Sequence, residues 1–373
     1  MKKTKLRGLA IVATTIAAAL IASAATASVG KTKPFISRFH KITHLASMVP
    51  TKGPAKGDQN PYGVAVVRRS VGKLVKGDVL VSNFNNSMNQ QGTGSSIMEV
   101  SPSGNARVFA VVPQPTKTKA VGLTTALAEL PNGFVIVGSL PAPGGMSANM
   151  TAGALTVLNS KGKVVKMLKG GHINGPWDMT AVSQGNKATL FVTNVLNGTV
   201  KAAGKTVHKG TVVRIGLTFS SSGARMTSEK VIATGFGEHT DPAALVVGPT
   251  GVGLAPSGTL YVADSVANRI AAIPSAMTRM TKLGHGGMTV SQGKFLNDPL
   301  GLAIAPNGDA VSMNGADGRA VETTPAGKQF VKTLIKNGAG DLFGLAIAPK
   351  GAGIYFVNDI GTGPAANSLE LLH

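Results

Sequence analysis

The stretch NDPLGLAIAPNGDAVSMNGADGRAVETTPAGKQ, residues Asn297–Gln329, decides the fold. It contains three short segments of strand-forming character, Gly301–Ala305, Ala310–Met313 and Arg319–Thr324, and each ends at residues that favour turns. The pattern predicts three short strands and the start of a fourth. A single four-stranded unit leaves its edges and faces unburied, so it requires further copies of itself.

Five more copies of this pattern follow one another along the chain. Aligned on their turn residues, the six units begin at Pro61, Ala120, Pro176, Gly251, Pro299 and Leu342. Six repeats of a four-stranded unit predict an all-β fold, a six-bladed β-propeller with four-stranded blades, formed by residues 28–373 as a single domain.

One of the copies, GLAPSGTLYVADSVANRI at Gly253–Ile270, resembles an NHL repeat. NHL repeats form six-bladed β-propellers, in the same broad superfamily as the SMP-30/gluconolactonase-like proteins. The resemblance covers nearly all of the chain after its first residues and is specific for the fold. Because one fold carries many functions, it does not specify a function.

The first strand of the chain is predicted outside the six units. Phe35–Leu45, FISRFHKITHL, precedes the first unit and reads as a strand, whereas the last unit stops at its third strand, Asn367–Leu372. We therefore expect the N-terminal strand to complete the last blade and to close the ring, which removes two exposed sheet edges.

Met1–Ala27 reads as a secretory signal peptide. It has a basic start, an apolar run from Leu9 to Ile21, and an Ala-x-Ala end suited to cleavage before Ser28. An uncleaved anchor is the alternative, but the apolar run is short for a membrane span. We expect an exported protein, periplasmic or extracellular, without a transmembrane segment after cleavage.

The chain is strongly basic. Removing the four basic residues of Met1–Ala27 lowers Lys and Arg from 37 to 33 against 16 Asp and Glu, which leaves a formal net charge of +17. This charge fits binding to anionic envelope polymers, or an acidic habitat in which few carboxylates can lose their interactions by protonation. Scattered basic residues and few aromatics argue against nucleic acid as a partner. The chain has no cysteine, so packing and sheet closure must hold the fold.

A column of short polar residues follows the turns at the end of each second strand. Its members are Asn83, Ser139, Asn194, Asp264, Asn314 and Asp359. Such residues accept hydrogen bonds from the following loop, which is a structural role. The alternative is a polar ring around a ligand on the upper face, which we define as the face on which each innermost strand begins.

A second column lies where the innermost strands begin and contains Tyr62, Val121, Trp177, Val252, Leu300 and Phe343. In the SMP-30-like lactonases this region supplies Asn and Asp ligands for a divalent metal, and in the related amidating lyase it supplies zinc-binding histidines. Apolar side chains cannot ligate a hard cation, so no cofactor is predicted. Tyr62, Trp177 and Phe343 remain candidates for packing or for binding. An alternative metal set consists of His172, His239 and His285, with Asp241 or Asp178 nearby.

The longest loops between second and third strands are Asn83–Gly94, Pro141–Gly153 and Asn197–Gly210, in units one to three. Long loops on a rigid scaffold often carry binding sites. No nucleophile elbow, zinc-protease motif or phosphate loop occurs in the sequence. We therefore expect a monomeric, non-catalytic binding or scaffold protein that holds an unknown small molecule or protein at its upper face. The alternatives are a hydrolase or lyase of the SMP-30/gluconolactonase-like kind and an envelope protein that binds anionic polymers.

Overall fold

A computed structural model describes residues 33–114, 120–221, 223–360 and 366–373. The predicted signal peptide Met1–Ala27 lies outside these residues. The described chain forms six antiparallel sheets arranged as the blades of a ring, with almost no helix, so the predicted six-bladed β-propeller is confirmed. No described helix is both long enough and apolar enough to cross a membrane.

The strands are numbered in chain order, and blades are numbered by their innermost strands. Before blade one lies β1 (Ile42–Ser47). Blade one contains β2 (Gln59–Val66), β3 (Val79–Asn85), β4 (Ser96–Val100) and β5 (Ala106–Val111). Blade two contains β6 (Leu123–Glu129), β7 (Val135–Ser139), β8 (Ala154–Leu158) and β9 (Val164–Leu168). Blade three contains β10 (Pro176–Gln184), β11 (Lys187–Asn194), β12 (Val207–Ser220), β13 (Gly223–Asp241) and the short β14 (Leu245–Val247).

Blades four to six are more regular. Blade four contains β15 (Pro249–Leu254), β16 (Leu260–Asp264), β17 (Arg269–Ile273) and β18 (Met288–Gln292). Blade five contains β19 (Pro299–Ile304), β20 (Ala310–Asn314), β21 (Arg319–Thr323) and β22 (Gln329–Thr333). Blade six contains β23 (Leu342–Ile347), β24 (Ile354–Asn358) and β25 (Ser368–Leu372). The helical segments are α1 (Thr199–Ala202) and the 3-10 turns Phe35–Arg38, Pro143–Gly145, Ser147–Asn149 and Pro349–Gly351.

The N-terminal segment differs in part from the sequence prediction. The strand begins only at Ile42, and β1 pairs antiparallel with β25 as the outermost strand of the sixth sheet. Phe35–Arg38 is instead a 3-10 turn, so the prediction of a strand from Phe35 was wrong there. The cause is the buried carboxylate of Glu322, which accepts hydrogen bonds from Phe35 N at 2.8 Å and from Ile36 N at 2.9 Å and thereby turns the backbone towards blade five.

Every innermost strand carries a β-bulge close to its beginning, at the level of Gly63 in blade one. At these bulges the innermost strands of neighbouring blades approach each other so closely that several positions have no room for a side chain. A Cβ on Gly344 would collide with the carbonyl oxygen of Tyr62, and one on Gly301 would collide with that of Phe343. We call this level the bulge ring. It narrows the axis of the propeller at its upper end.

Candidate ligand-binding site

The predicted polar column is buried within the blades. Asn83, Ser139, Asn194, Asp264 and Asn314 are at most 1% exposed. Each bonds locally: the Asn83 side-chain amide donates to Met48 O at 2.7 Å, and the Asp264 carboxylate pairs with Arg269 Nε at 2.7 Å. These hydrogen bonds tie the second strand of a blade to its neighbouring loops. A role in ligand binding stays a prediction for these residues.

The sixth member of that column was assigned one residue too late. In blade five Pro299 pairs with Asn314, and in blade six the equivalent Leu342 pairs with Asn358, not with Asp359. The reason is the turn between β23 and β24, which contains the 3-10 turn Pro349–Gly351 and is one residue longer than in blade five. Asn358 therefore occupies the column, and Asp359 follows it on the upper face.

The three aromatic candidates lie together beneath the upper face. The Tyr62 ring stacks on Phe343 with centroids 4.2 Å apart and meets Trp177 edge to face at 5.9 Å. Tyr62 is 5% exposed and Trp177 is 3% exposed. The same cluster contains Ala142 and Met150 of the blade-two loop, Val200 of the blade-three loop, and Leu245 and Val246 of β14. The cluster, which we call the aromatic plug, fills the upper end of the axis.

Two other members of the second column, Val121 and Val252, were misplaced in the sequence alignment. The bulges align Thr124 of blade two and Thr250 of blade four with Leu300, instead of Val121 and Val252. A bulge adds a residue without changing the hydrophobic pattern, so counting from turn glycines misses it.

The alternative metal set is not assembled. His172 lies beside Glu229 on blade three, His239 pairs with Val247 in the β13–β14 hairpin, and His285 lies in the loop before β18. Within the described ranges, no three His, Asp or Glu side chains are close enough together to hold a metal ion. His172, His239, His285 and Asp241 are therefore too dispersed to bind one metal ion together.

Carboxyl groups gather on the upper face around the aromatic plug. Burial, and then the neighbouring Asp341, raise the pKa of Asp359 to about 8. Burial also raises the pKa of Asp298, and Asp241 adds to that effect. In a chain with only 16 Asp and Glu, this grouping brings several carboxyl groups together, and the raised pKa values favour their uncharged, protonated forms.

We expect Asp359→Asn to stabilise the protein at pH 8. The pKa of Asp359 is about 8 in the folded chain against an ordinary value of 3.8, so the folded state binds more protons between these values and loses stability as the pH rises through them. Asparagine has the same shape and does not titrate. Because solvent still reaches Asp359, we expect a gain of about 1–2 kcal/mol at pH 8 and almost none at pH 4. Urea unfolding at both pH values measures the difference, and an equal effect at both would contradict the assignment.

A cavity of about 840 Å³ lies below the bulge ring, along the axis of the propeller. All six innermost strands line it, mostly with apolar residues such as Leu127, Leu254 and Ile347. It includes residues of the turns that follow these strands, so it extends towards the face opposite the upper face, which we call the lower face. Its volume and apolar lining are typical of small-molecule sites.

Asp178 lies at the closed end of the cavity. It occupies the position in the bulge ring at which Gly63, Gly251, Gly301 and Gly344 stand in other blades. Its carboxylate accepts hydrogen bonds from Met179 N at 2.7 Å and from Val252 N at 3.3 Å. Burial nevertheless raises the pKa of this carboxyl well above its usual range.

The mouth of the cavity is charged. Arg68, at the end of β2, bonds to the Glu129 carboxylate through Nε at 3.0 Å and through its backbone N at 3.1 Å. Lys76, in the loop between β2 and β3, is exposed and also lines the mouth. Arg68, Lys76, Glu129 and Asp178 are the ionisable residues among the described residues that line the cavity.

Sequence reasoning named Asp178 only as a neighbour for the metal histidines and did not predict the cavity. The available signal was a carboxylate at a position where four other blades have glycine. An ionisable residue in a column that is glycine in four of the other five blades requires an explanation beyond packing.

Fold and site together define a six-bladed β-propeller with an axial cavity below its bulge ring. No family profile matches the sequence, and no curated protein matches it. The NHL resemblance therefore stays a prediction.

Solved structures share the fold. The PQQ-bound aldose sugar dehydrogenase of Streptomyces coelicolor is 15% identical over 89% of this chain and 97% of its own, with a TM-score of 0.54. Regucalcin of Agrobacterium tumefaciens, a calcium-binding protein, is 13% identical over 85% and 91%, with a TM-score of 0.53. A gluconolactonase of Xanthomonas campestris is 14% identical over 84% and 86%, with a TM-score of 0.52. The chain is thus similar in fold to gluconolactonase-like six-bladed propellers.

Proposed function

We propose that this protein is an exported hydrolase or lyase that acts on a small organic molecule in the axial cavity, with Asp178 as its general acid. The observation that carries the proposal is a buried carboxyl group at the closed end of an otherwise apolar cavity. A carboxyl group with a strongly perturbed pKa in a cavity of ligand size is a common mark of an active site. The fold shared with a gluconolactonase supports the reaction class.

The chemistry follows from the protonation of Asp178. Its raised pKa keeps a proton on the carboxyl group that can be transferred to a leaving oxygen. In the hydrolysis of a lactone or ester, the oxygen of a water molecule bonds to the carbonyl carbon and the carbon–oxygen bond of the ester breaks. Asp178 gives its proton to the leaving oxygen, and the attacking water returns a proton to Asp178. The backbone donors Met179 N and Val252 N stabilise the carboxylate while it is charged.

The test is Asp178→Asn in assays with a panel of lactones and aryl esters, with binding followed by calorimetry. We expect the variant to bind ligand but to lose turnover by roughly 100-fold or more, because asparagine has no proton to give at neutral pH. We also expect wild-type activity to fall as the pH rises. Thr180→Val, which changes another lining residue without an acid, is the control. Binding without turnover by the wild-type protein would overturn the enzymatic proposal.

The second candidate is non-catalytic binding through the upper face. It is supported by the long loops of blades one to three, which meet over the aromatic plug; the Gln91 side chain, for example, donates to Ala243 O. Binding of an anionic envelope polymer rests on the net charge alone. In either of these cases the wild-type protein would show no turnover, and Asp178→Asn would bind the upper-face ligand or the polymer as tightly as the wild-type protein does.

A further inference from the structure

The ends of the axial cavity differ in charge. Asp178, at the closed end, is 8% exposed and lies among apolar residues, whereas the mouth carries two cations, Arg68 and Lys76, against one carboxylate, Glu129. Glu129 is already bonded to Arg68, so Lys76 contributes the unbalanced charge. No ion pair of Lys76 occurs within the described ranges.

The loop that carries Lys76 is held in place. It connects β2 to β3 over residues 67–78 and is the longest of the loops that join first and second strands. Lys73 N donates to Ser160 O at 2.8 Å, which fastens the loop to blade two, and Val75 N donates to the Glu99 carboxylate at 3.1 Å. Leu74 is 1% exposed and anchors the loop from within. The position of Lys76 at the mouth is therefore built into the fold.

The two ends are far apart. Asp178 lies at the level of Gly63 in the bulge ring. Arg68 follows Gly63 by five residues, along an extended strand and the turn after it, so the two levels are separated by at most roughly 16 Å along the axis. A ligand that reaches both ends must be elongated. Its middle contacts mostly apolar residues. A charged group at the closed end would lose its hydration without a counter-charge.

From these observations we infer that the axial cavity takes an elongated amphipathic organic anion, with an apolar body along the axis and a carboxylate at the mouth beside Lys76. This inference rests on the proposed function, because it names the class of molecule for the same cavity. The uncharged end of the molecule then lies at Asp178, where the reacting group must be. A cationic ligand is disfavoured by the two cations at the mouth.

The experiment compares three probes of one chain length, decanoate, decanol and decylammonium, below their aggregation concentrations. Titration calorimetry at low ionic strength measures their affinity for the wild-type protein, Lys76→Gln and the control Lys73→Gln, a lysine of the same loop that does not line the cavity. We expect decanoate to bind the wild-type protein at least about 10-fold more tightly than decanol. Lys76→Gln should weaken decanoate by about 3- to 10-fold and leave decanol unchanged, and Lys73→Gln should change neither.

The outcomes distinguish the claim that the ligand is an anion from the claim that the cavity binds a ligand at all. Equal affinity for decanoate and decanol would overturn the anionic class and leave the cavity as a binding site. An equal loss in Lys73→Gln and Lys76→Gln would overturn it as well, because surface charge in general would then be the cause. Failure of all three probes to bind would instead count against the cavity itself and so against the proposed function.

Discussion

Glu322→Ala should lower the free energy of unfolding by about 3 kcal/mol and the melting temperature by roughly 5–10 °C. The Glu322 side chain is fully buried and accepts hydrogen bonds from Phe35 N, Ile36 N and, at 2.9 Å, from Asn307 Nδ2. Alanine leaves these donors without an acceptor in a site that water does not reach. The loss is moderated because the Glu322 carboxylate helps burial to raise the pKa of Asp309 to about 7, and this repulsion disappears.

Urea unfolding monitored by circular dichroism gives the value for Glu322→Ala. Glu322→Gln is the matched control, since its side chain keeps one acceptor oxygen and nearly the same volume, and we expect about half the loss. An unfolding free energy of Glu322→Ala within about 0.5 kcal/mol of the wild-type value would show that the N-terminal segment is not held by this carboxylate.

Deletion of Phe35–Leu45 should have the largest effect of all on the stability of the monomer. The deletion removes Phe35, Ile36 and Phe39, all buried against blades five and six, at about 1.5–3 kcal/mol for each. It also removes most of β1 and leaves the backbone of β25 as an open sheet edge. An open edge pairs with other chains, so we expect oligomers or aggregates.

Size-exclusion chromatography with light scattering and a thermal unfolding scan measure this outcome. A deletion of residues 28–33, which precede the docked segment, serves as the control and should leave both measurements unchanged. A monomeric Phe35–Leu45 deletion with wild-type thermal unfolding would refute the proposal that this segment completes the sixth blade.

The repeat pattern was sufficient to predict the fold because each blade repeats the same order of short strands and turn residues. A short turn such as Pro306–Gly308 separates the first two strands of a blade, and the strands on either side of it are apolar and buried, so the units can be aligned with one another. Prediction failed where a single residue changed the count, at the bulges and at the turn before β24. It also failed at Phe35–Arg38, whose conformation depends on a carboxylate almost 290 residues away in the sequence.

The cavity could not be predicted for a different reason. Its walls are the ordinary apolar residues of six inner strands, and nothing in a residue such as Leu254 or Ile347 distinguishes a cavity wall from a filled core. The sequence predicts the binding site on the upper face because the loops there are long. In the structure those loops cover the aromatic plug, whereas the space for a ligand lies on the opposite side of the bulge ring.

The bulge ring also separates the upper face from the axial cavity. With glycine backbone and the Tyr62, Trp177 and Phe343 rings closing the upper end, the axis is a dead end and not a pore. A molecule in the cavity must therefore enter and leave through the same mouth. A partner that binds to the upper face leaves the mouth of the cavity open. The protein can therefore be attached to a partner on its upper face while ligand enters and leaves at its lower face.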